Sequence, residues 1–146
     1  MNGVAQILKG KPSRVVHSIR LNDTVYDAVR KLAEQNIGAL LVMEGEKIVG
    51  IVTERDYARK IVLASRSSRE TPVSAIMSTP VLCVGPSQTT EECMAIMTEN
   101  RVRHLPVLDD GKLIGLVSIG DLVKDIISEQ QFIIEQLEQY ITGGRR

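Results

Sequence analysis

The chain of 146 residues contains no tryptophan, one phenylalanine and three tyrosines. With so few aromatic side chains it nearly lacks the platforms on which proteins stack single-stranded bases. Cysteine is almost as scarce: Cys83 and Cys93 are the only two, and no CxxC spacing is present. That excludes a disulfide framework and a cysteine-built zinc site, and leaves both as expected core residues. Net charge is missing too, because 18 basic residues balance 18 acidic ones. No overall field draws the chain to nucleic acid or an anionic membrane, so only a local basic patch could do so. No run approaches the roughly 20 apolar residues of a membrane span. The opening MNGVAQILKGKPS has too short an apolar stretch for a secretory signal, so a cytoplasmic protein is expected. GxSxG, HExxH and Walker A motifs are absent, and two histidines leave little to build a reaction from. A catalytic role is not expected, and no metal or required cofactor is implied.

What the chain does have is itself twice. GIVTERD at 50–56 returns as GLVSIGD at 115–121, and a shift of 65 residues pairs Thr24 with Thr89, Leu40 with Leu105, Gly50 with Gly115 and Asp56 with Asp121 without a gap. Earlier in each copy, VAQIL at 4–8 echoes VSAIM at 73–77, but at an offset of 69. About four extra residues therefore sit in the first copy, near Lys9 to Arg14. Internal repetition makes the architecture one unit used twice.

Periodicity within each copy changes in one order. VVHSI (15–19) and VLCV (81–84) predict short buried strands. Val25, Ala28, Val29, Leu32 and Ala33 then share one helical stripe, as do Cys93, Met94 and Met97. Thr24 with Asp27, and Thr89 with Glu92, predict capping boxes at the starts of these helices. Two apolar runs split by EGE or DDG predict a hairpin in each copy, and a second helix follows from about Tyr57 and Leu122. Pro106, inside an apolar run, argues for an edge or irregular position. The predicted fold is α+β, two β-α-β-β-α repeats packed with pseudo-twofold symmetry plus a C-terminal helix. Its expected divisions are a first repeat with its leading segment at 1–64, a connection at 65–72, a second repeat at 73–127, the helix at 128–142 and a flexible tail at 143–146.

In the repeated phrase, an apolar strand end is followed by Ser or Thr and, three residues on, Asp. A capping box accounts for one such occurrence. Three features point further. Both acids are Asp, where a capping box favours Glu or Gln; both lie at a strand-to-helix junction; and pseudo-twofold packing would bring the junctions together. A carboxylate can accept both hydroxyls of a ribose, and a helix N-terminus suits a phosphate.

The duplicated G-h-h-x-[ST]-x-x-D phrase (h, apolar), with RHLPV at 103–107, resembles a tandem of cystathionine-β-synthase-type (CBS) domains, also called a Bateman module. The likeness covers about residues 4–127 and is nearest to the standalone CBS proteins of bacteria. It implies a regulatory sensor of adenosine-containing ligands: AMP, ADP, ATP, NAD or S-adenosylmethionine. By position it implies that Asp56 with Thr53, and Asp121 with Ser118, hold ribose. A basic pair before L-P-V reaches phosphate in the family, which points to Arg103 and His104, with Arg101 and Pro106 beside them. The first copy has Gly38 and Ala39 there, and carries Arg55 and Arg59 where the second has Gly120 and Lys124. Two unequal sites are therefore expected.

Beyond the second copy, Phe132 or Ile133, Leu137, and Tyr140 or Ile141 recur at helical spacing. This stripe covers either the module's own core or a second chain; the family's habit of forming dimers favours a homodimer. A downstream protein partner is implied but not named. The alternatives are a nucleic-acid-binding accessory protein, disfavoured by neutral charge and few aromatics, and a structural subunit with unused sites.

Overall fold

Helices start where the threonines fall. In the computed structural model, which describes residues 2–13 and 15–143, α2 spans Val25–Gln35 and α4 spans Thr90–Asn100. The Thr24 hydroxyl accepts the Asp27 N–H, and Thr89 with Glu92 forms the full reciprocal box. Both helices end on a left-handed residue, Asn36 (φ 53°) and Arg101 (φ 54°), which turns the chain toward the next strand. Their buried faces carry Val25, Ala28 and Leu32 in α2, and Thr90, Cys93 and Met97 in α4.

Each helix leads into a hairpin. Strand β2 (Ala39–Glu44) pairs antiparallel with β3 (Lys47–Thr53), and β4 (His104–Asp109) with β5 (Lys112–Ser118). Asp110 (φ 52°) and Gly111 (φ 79°) both take the positive φ that a tight two-residue turn requires, and Gly45 (φ 63°) begins the other. The registers place Ala39 opposite Thr53 and His104 opposite Ser118.

The predicted opening strands are corrected. Only Ser18–Arg20 forms a strand, β1, parallel to β2, and 81–84 forms none; Val84 makes a single bridge to Val107. Pro106 supplies the reason. In the first copy the equivalent Leu41 donates its N–H to the His17 carbonyl at 3.3 Å, and proline has no N–H to give. What remains is Val84 N–H to the Pro106 carbonyl and Leu108 N–H to the Val84 carbonyl, each 2.9 Å. Because the Pro106 carbonyl faces Val84, its nitrogen faces that side too, and the ladder to β5 loses nothing. Cys83, expected in the core, is exposed on this irregular stretch, whereas Cys93 is buried.

The helices after the hairpins differ. Helix α3 (Glu54–Tyr57) passes into a wider π-type turn, Ala58–Val62, closed by the Leu63 N–H on the Ala58 carbonyl. Helix α5 runs unbroken over Ile119–Gly143. The two helices predicted here, one from Leu122 and one at 128–142, are thus one, since no Gly or Pro interrupts the chain between Asp121 and Thr142. Beyond Gly143 the predicted tail lies outside the described residues, as does Arg14.

Two compact units result: Val15–Leu82, and Met1–Arg14 together with Cys83–Arg146. Each sequence copy is therefore completed by the other's leading segment. Helix α1 (Val4–Gly10) inserts Val4, Ile7 and Leu8 into the core built on Leu105, Val107 and Val117. The 3₁₀ turn Val73–Ala75 and Ile76 do the same for the core of Val25, Leu40 and Val52. This exchange explains the glycine of the repeated phrase. A Cβ on Gly115 would sit 2.6 Å from Leu8 Cδ2, and one on Gly50 would sit 2.5 Å from Met77 Sδ. Among the described residues no helix is long and apolar enough to cross a membrane.

Candidate functional site

Both copies of the phrase end at the same local structure. Thr53 is the N-cap of α3: Asp56 N–H donates to its hydroxyl at 3.2 Å, and Thr53 N–H donates back to Asp56 Oδ2 at 3.0 Å. Ser118 and Asp121 repeat the pattern at 3.2 and 2.9 Å. The short Asp side chain thus closes a reciprocal cap in both copies, which corrects the expectation that Asp in place of Glu speaks against capping.

The two carboxylates differ in what else they hold. Asp56 is 6% exposed. Its Oδ2 also accepts the Thr53 hydroxyl at 3.1 Å, while Oδ1 accepts the Ser78 hydroxyl at 2.9 Å and lies 3.1 Å from Lys60 Nζ. Ser78 is fixed by two backbone bonds to Ile51. Protein donors therefore use both oxygens.

At Asp121 everything converges on one oxygen. Oδ2 accepts the Ser118 N–H and Lys11 Nζ, each at 2.9 Å, and Lys11 also donates to the Leu116 carbonyl at 2.9 Å. Oδ1 accepts no hydrogen bond from the described residues, and the side chain is 20% exposed. Burial pushes the Asp121 carboxyl upward, but the Lys11 ammonium and the Ser118 N–H outweigh it and hold the group below the usual range. His104 stands opposite Ser118 in the strand register. Burial lowers its pKa and Lys11 and Arg103 add to this, against the pull of Asp121.

Lowering both values gives stability a definite acid limb. The folded state resists protonating His104, so its contribution is complete above about pH 6.5 and is lost as pH falls below that. Asp121 contributes above about pH 3.8 and loses its contribution as pH falls through its lowered folded value. Urea unfolding from pH 7.5 to 5 should show stability falling in the wild type and a flatter profile in His104→Gln. Parallel profiles would remove His104 as the cause.

The remaining candidates bracket these junctions. The Gly38 carbonyl accepts the Glu54 N–H and the Arg103 carbonyl accepts the Ile119 N–H, so Gly38 with Ala39 and Arg103 with His104 flank equivalent helix starts. Ala39 is buried, and the first junction has no polar side chain at this position. Arg103 is exposed, and so is Arg55 in the first turn of α3. Gly120, the counterpart of Arg55, leaves the start of α5 uncovered: a Cβ there would meet only Ser118 Oγ, at 3.7 Å. Pro106 is buried two residues beyond His104. Arg101 is the left-handed cap of α4, with an exposed side chain.

Sequence reasoning missed Lys11, Ser78 and Lys60. Lys60 was readable as an i,i+4 partner of Asp56. Its counterpart Asp125 instead accepts the buried Thr90 hydroxyl at 2.6 Å and Asn2 Nδ2 at 3.0 Å. Lys11 falls among the extra residues of the first copy, and that length mismatch was its one signal.

The family model for the CBS domain matches residues 4–63 and 73–128. The chain belongs to the CBS-domain family. A mitochondrial CBS domain-containing protein of Arabidopsis thaliana, CBSX3, is 44% identical over 128 residues, 84% of this chain and 62% of that protein. The chain thus spans less than two-thirds of that relative. YhcV of Bacillus subtilis is 31% identical over 115 residues, covering 79% of this chain and 81% of that one. Among solved structures, a protein with CBS domains from Burkholderia ambifaria is 63% identical, with a TM-score of 0.84 over 87% of this chain and 95% of that one. In CBS-domain terms, the sequence repeats are the two family matches, and the compact units exchange their leading segments.

Proposed function

We propose that this CBS-domain pair is a regulatory module, not an enzyme, that binds an adenosine-containing ligand (AMP, ADP, ATP or NAD) and passes its bound state to a protein partner as a change of conformation or of homodimer geometry. The observation that carries this reading is the asymmetry of the two aspartates. Asp121 Oδ1 keeps its lone pairs for ribose hydroxyls while Oδ2 caps α5. Lys11 pairs with this carboxylate, and His104 with Arg103, at the strand start opposite Ser118, adds groups suited to phosphate. Asp56 is already committed to protein donors, so it is the weaker of two unequal sites. A ligand shifts the module only by its differential affinity for the arrangements it distinguishes.

Thermal unfolding with each adenylate in turn tests this. At about 100 times its dissociation constant a ligand adds roughly 2.7 kcal/mol, several degrees in the midpoint. Asp121→Ala should abolish the shift produced by the best ligand, and Lys11→Ala should reduce it most for ligands with more phosphates. A shift that survives Asp121→Ala, or no shift with any adenylate, sinks the reading and leaves the phrase as a pair of helix caps.

A further inference from the structure

Helix α5 leaves its own unit behind. From Gln130 to Thr142 every residue is exposed, including Ile134 at 53% and Leu137 at 57%. A solvated helix end of this length is marginal in water unless something covers its apolar side. The stripe follows a heptad: Val123, Ile127, Gln130, Ile134, Leu137 and Ile141 alternate in steps of four and three, the a/d seam of a coiled coil. Ile126, Ile133 and Tyr140 recur every seven residues along one flank, at g. The other flank, e, carries Lys124, Gln131 and Glu138. Phe132 points away from the seam.

We infer that α5 pairs antiparallel with α5 of a second copy of this chain, centred near residue 132. Charge selects the direction. In an antiparallel pair, e faces e and g faces g. Lys124 then meets Glu138 of the partner subunit, twice by symmetry, and Gln131 meets itself. The same alignment sets Ile127 against Leu137, Val123 against Ile141 and Ile126 against Tyr140, so every seam layer is apolar except Gln130 on Ile134. A parallel pair aligns e with g, where no charged residue stands, and leaves Lys124 and Glu138 about 21 Å apart along each helix with no counterpart. Between Asp125 and Thr142 all charges are acidic, so parallel alignment also gathers like charge at one end.

The inference stands apart from the ligand reading, and its test uses no nucleotide. Sedimentation equilibrium of the full chain from about 1 to 100 µM should show a monomer–dimer equilibrium. Ile134→Asp should weaken it about 100-fold or more, while its helix content by circular dichroism and its thermal midpoint match those of the wild type once both are diluted to monomer. Lys124→Glu and Glu138→Lys alone should each weaken dimerisation about 5- to 30-fold, and the double swap should restore it. Rescue requires the two positions to meet between chains. A monomer at every concentration, a dimer indifferent to Ile134→Asp, or single swaps that add instead of cancelling overturns the proposal.

Discussion

Deleting residues 2–10 unfolds the second unit. Val4, Ile7 and Leu8 are 0%, 9% and 4% exposed in its core, although 80 or more residues separate them from the strands they cover. Burying each is worth about 1.5–3 kcal/mol, so the helix contributes between about 4 and 9 kcal/mol. A whole domain has only about 5–15 kcal/mol of net stability. Backbone bonds go with it: Val4 N–H to the Gln88 carbonyl at 3.0 Å and Ala5 N–H to the Pro86 carbonyl at 3.1 Å. Hydrogen exchange should show protection lost across β4, β5 and α4 and kept in α2, β2 and β3. The point variant Leu8→Ala should cost about 2–5 kcal/mol in urea. Retained protection in β4 and β5 of the deletion variant would show that α1 is an ornament on the unit and not part of its core.

Asp56→Ala should destabilise the ligand-free protein by about 2–4 kcal/mol, lowering the thermal midpoint by roughly 6–12 °C. The substitution removes the cap of α3 and strands the Thr53 N–H, the Thr53 hydroxyl and the Ser78 hydroxyl around a buried position. Asp56→Asn should be little better, because an amide presents donors to donors. Asp121→Ala loses a half-buried cap and a partly screened Lys11 pair but strands no buried hydroxyl, so only about 1 kcal/mol is expected there. Equal losses at the two sites would contradict the assignment of Asp56 to structure. The difference also decides how ligand binding is read: a response lost in Asp121→Ala reports the site, whereas one lost in Asp56→Ala is mixed with unfolding.

The legible parts of the fold were those written in local pattern. Both amphipathic helices, both hairpins and the threonine caps followed from spacing within about a dozen residues. The strand at 81–84 failed because Pro106, more than 20 residues on, withholds the donor that Leu41 supplies in the first copy. The break before residue 128 failed because it was placed at the end of the repeat, where the chain offers no helix-breaking residue. At the candidate site, the aspartates and their hydroxyl partners could be read, but the groups that make them unequal could not. Ser78 is 22 residues from Asp56, and Lys11 is 110 from Asp121. No periodicity connects such pairs; only the exchange of leading segments does.

The same exchange sets an order on biosynthesis. Residues 15–82 form one unbroken stretch, so that unit holds everything it needs once Leu82 has left the ribosome. The other unit holds its first helix from the start and must wait for its strands. Val4 meets Gln88, and Asn2 meets Asp125, 123 residues later. At about 5–20 residues per second, α1 therefore spends roughly 5–20 seconds with its apolar face uncovered. During synthesis that face is the part of the molecule most open to a chaperone or to another nascent chain.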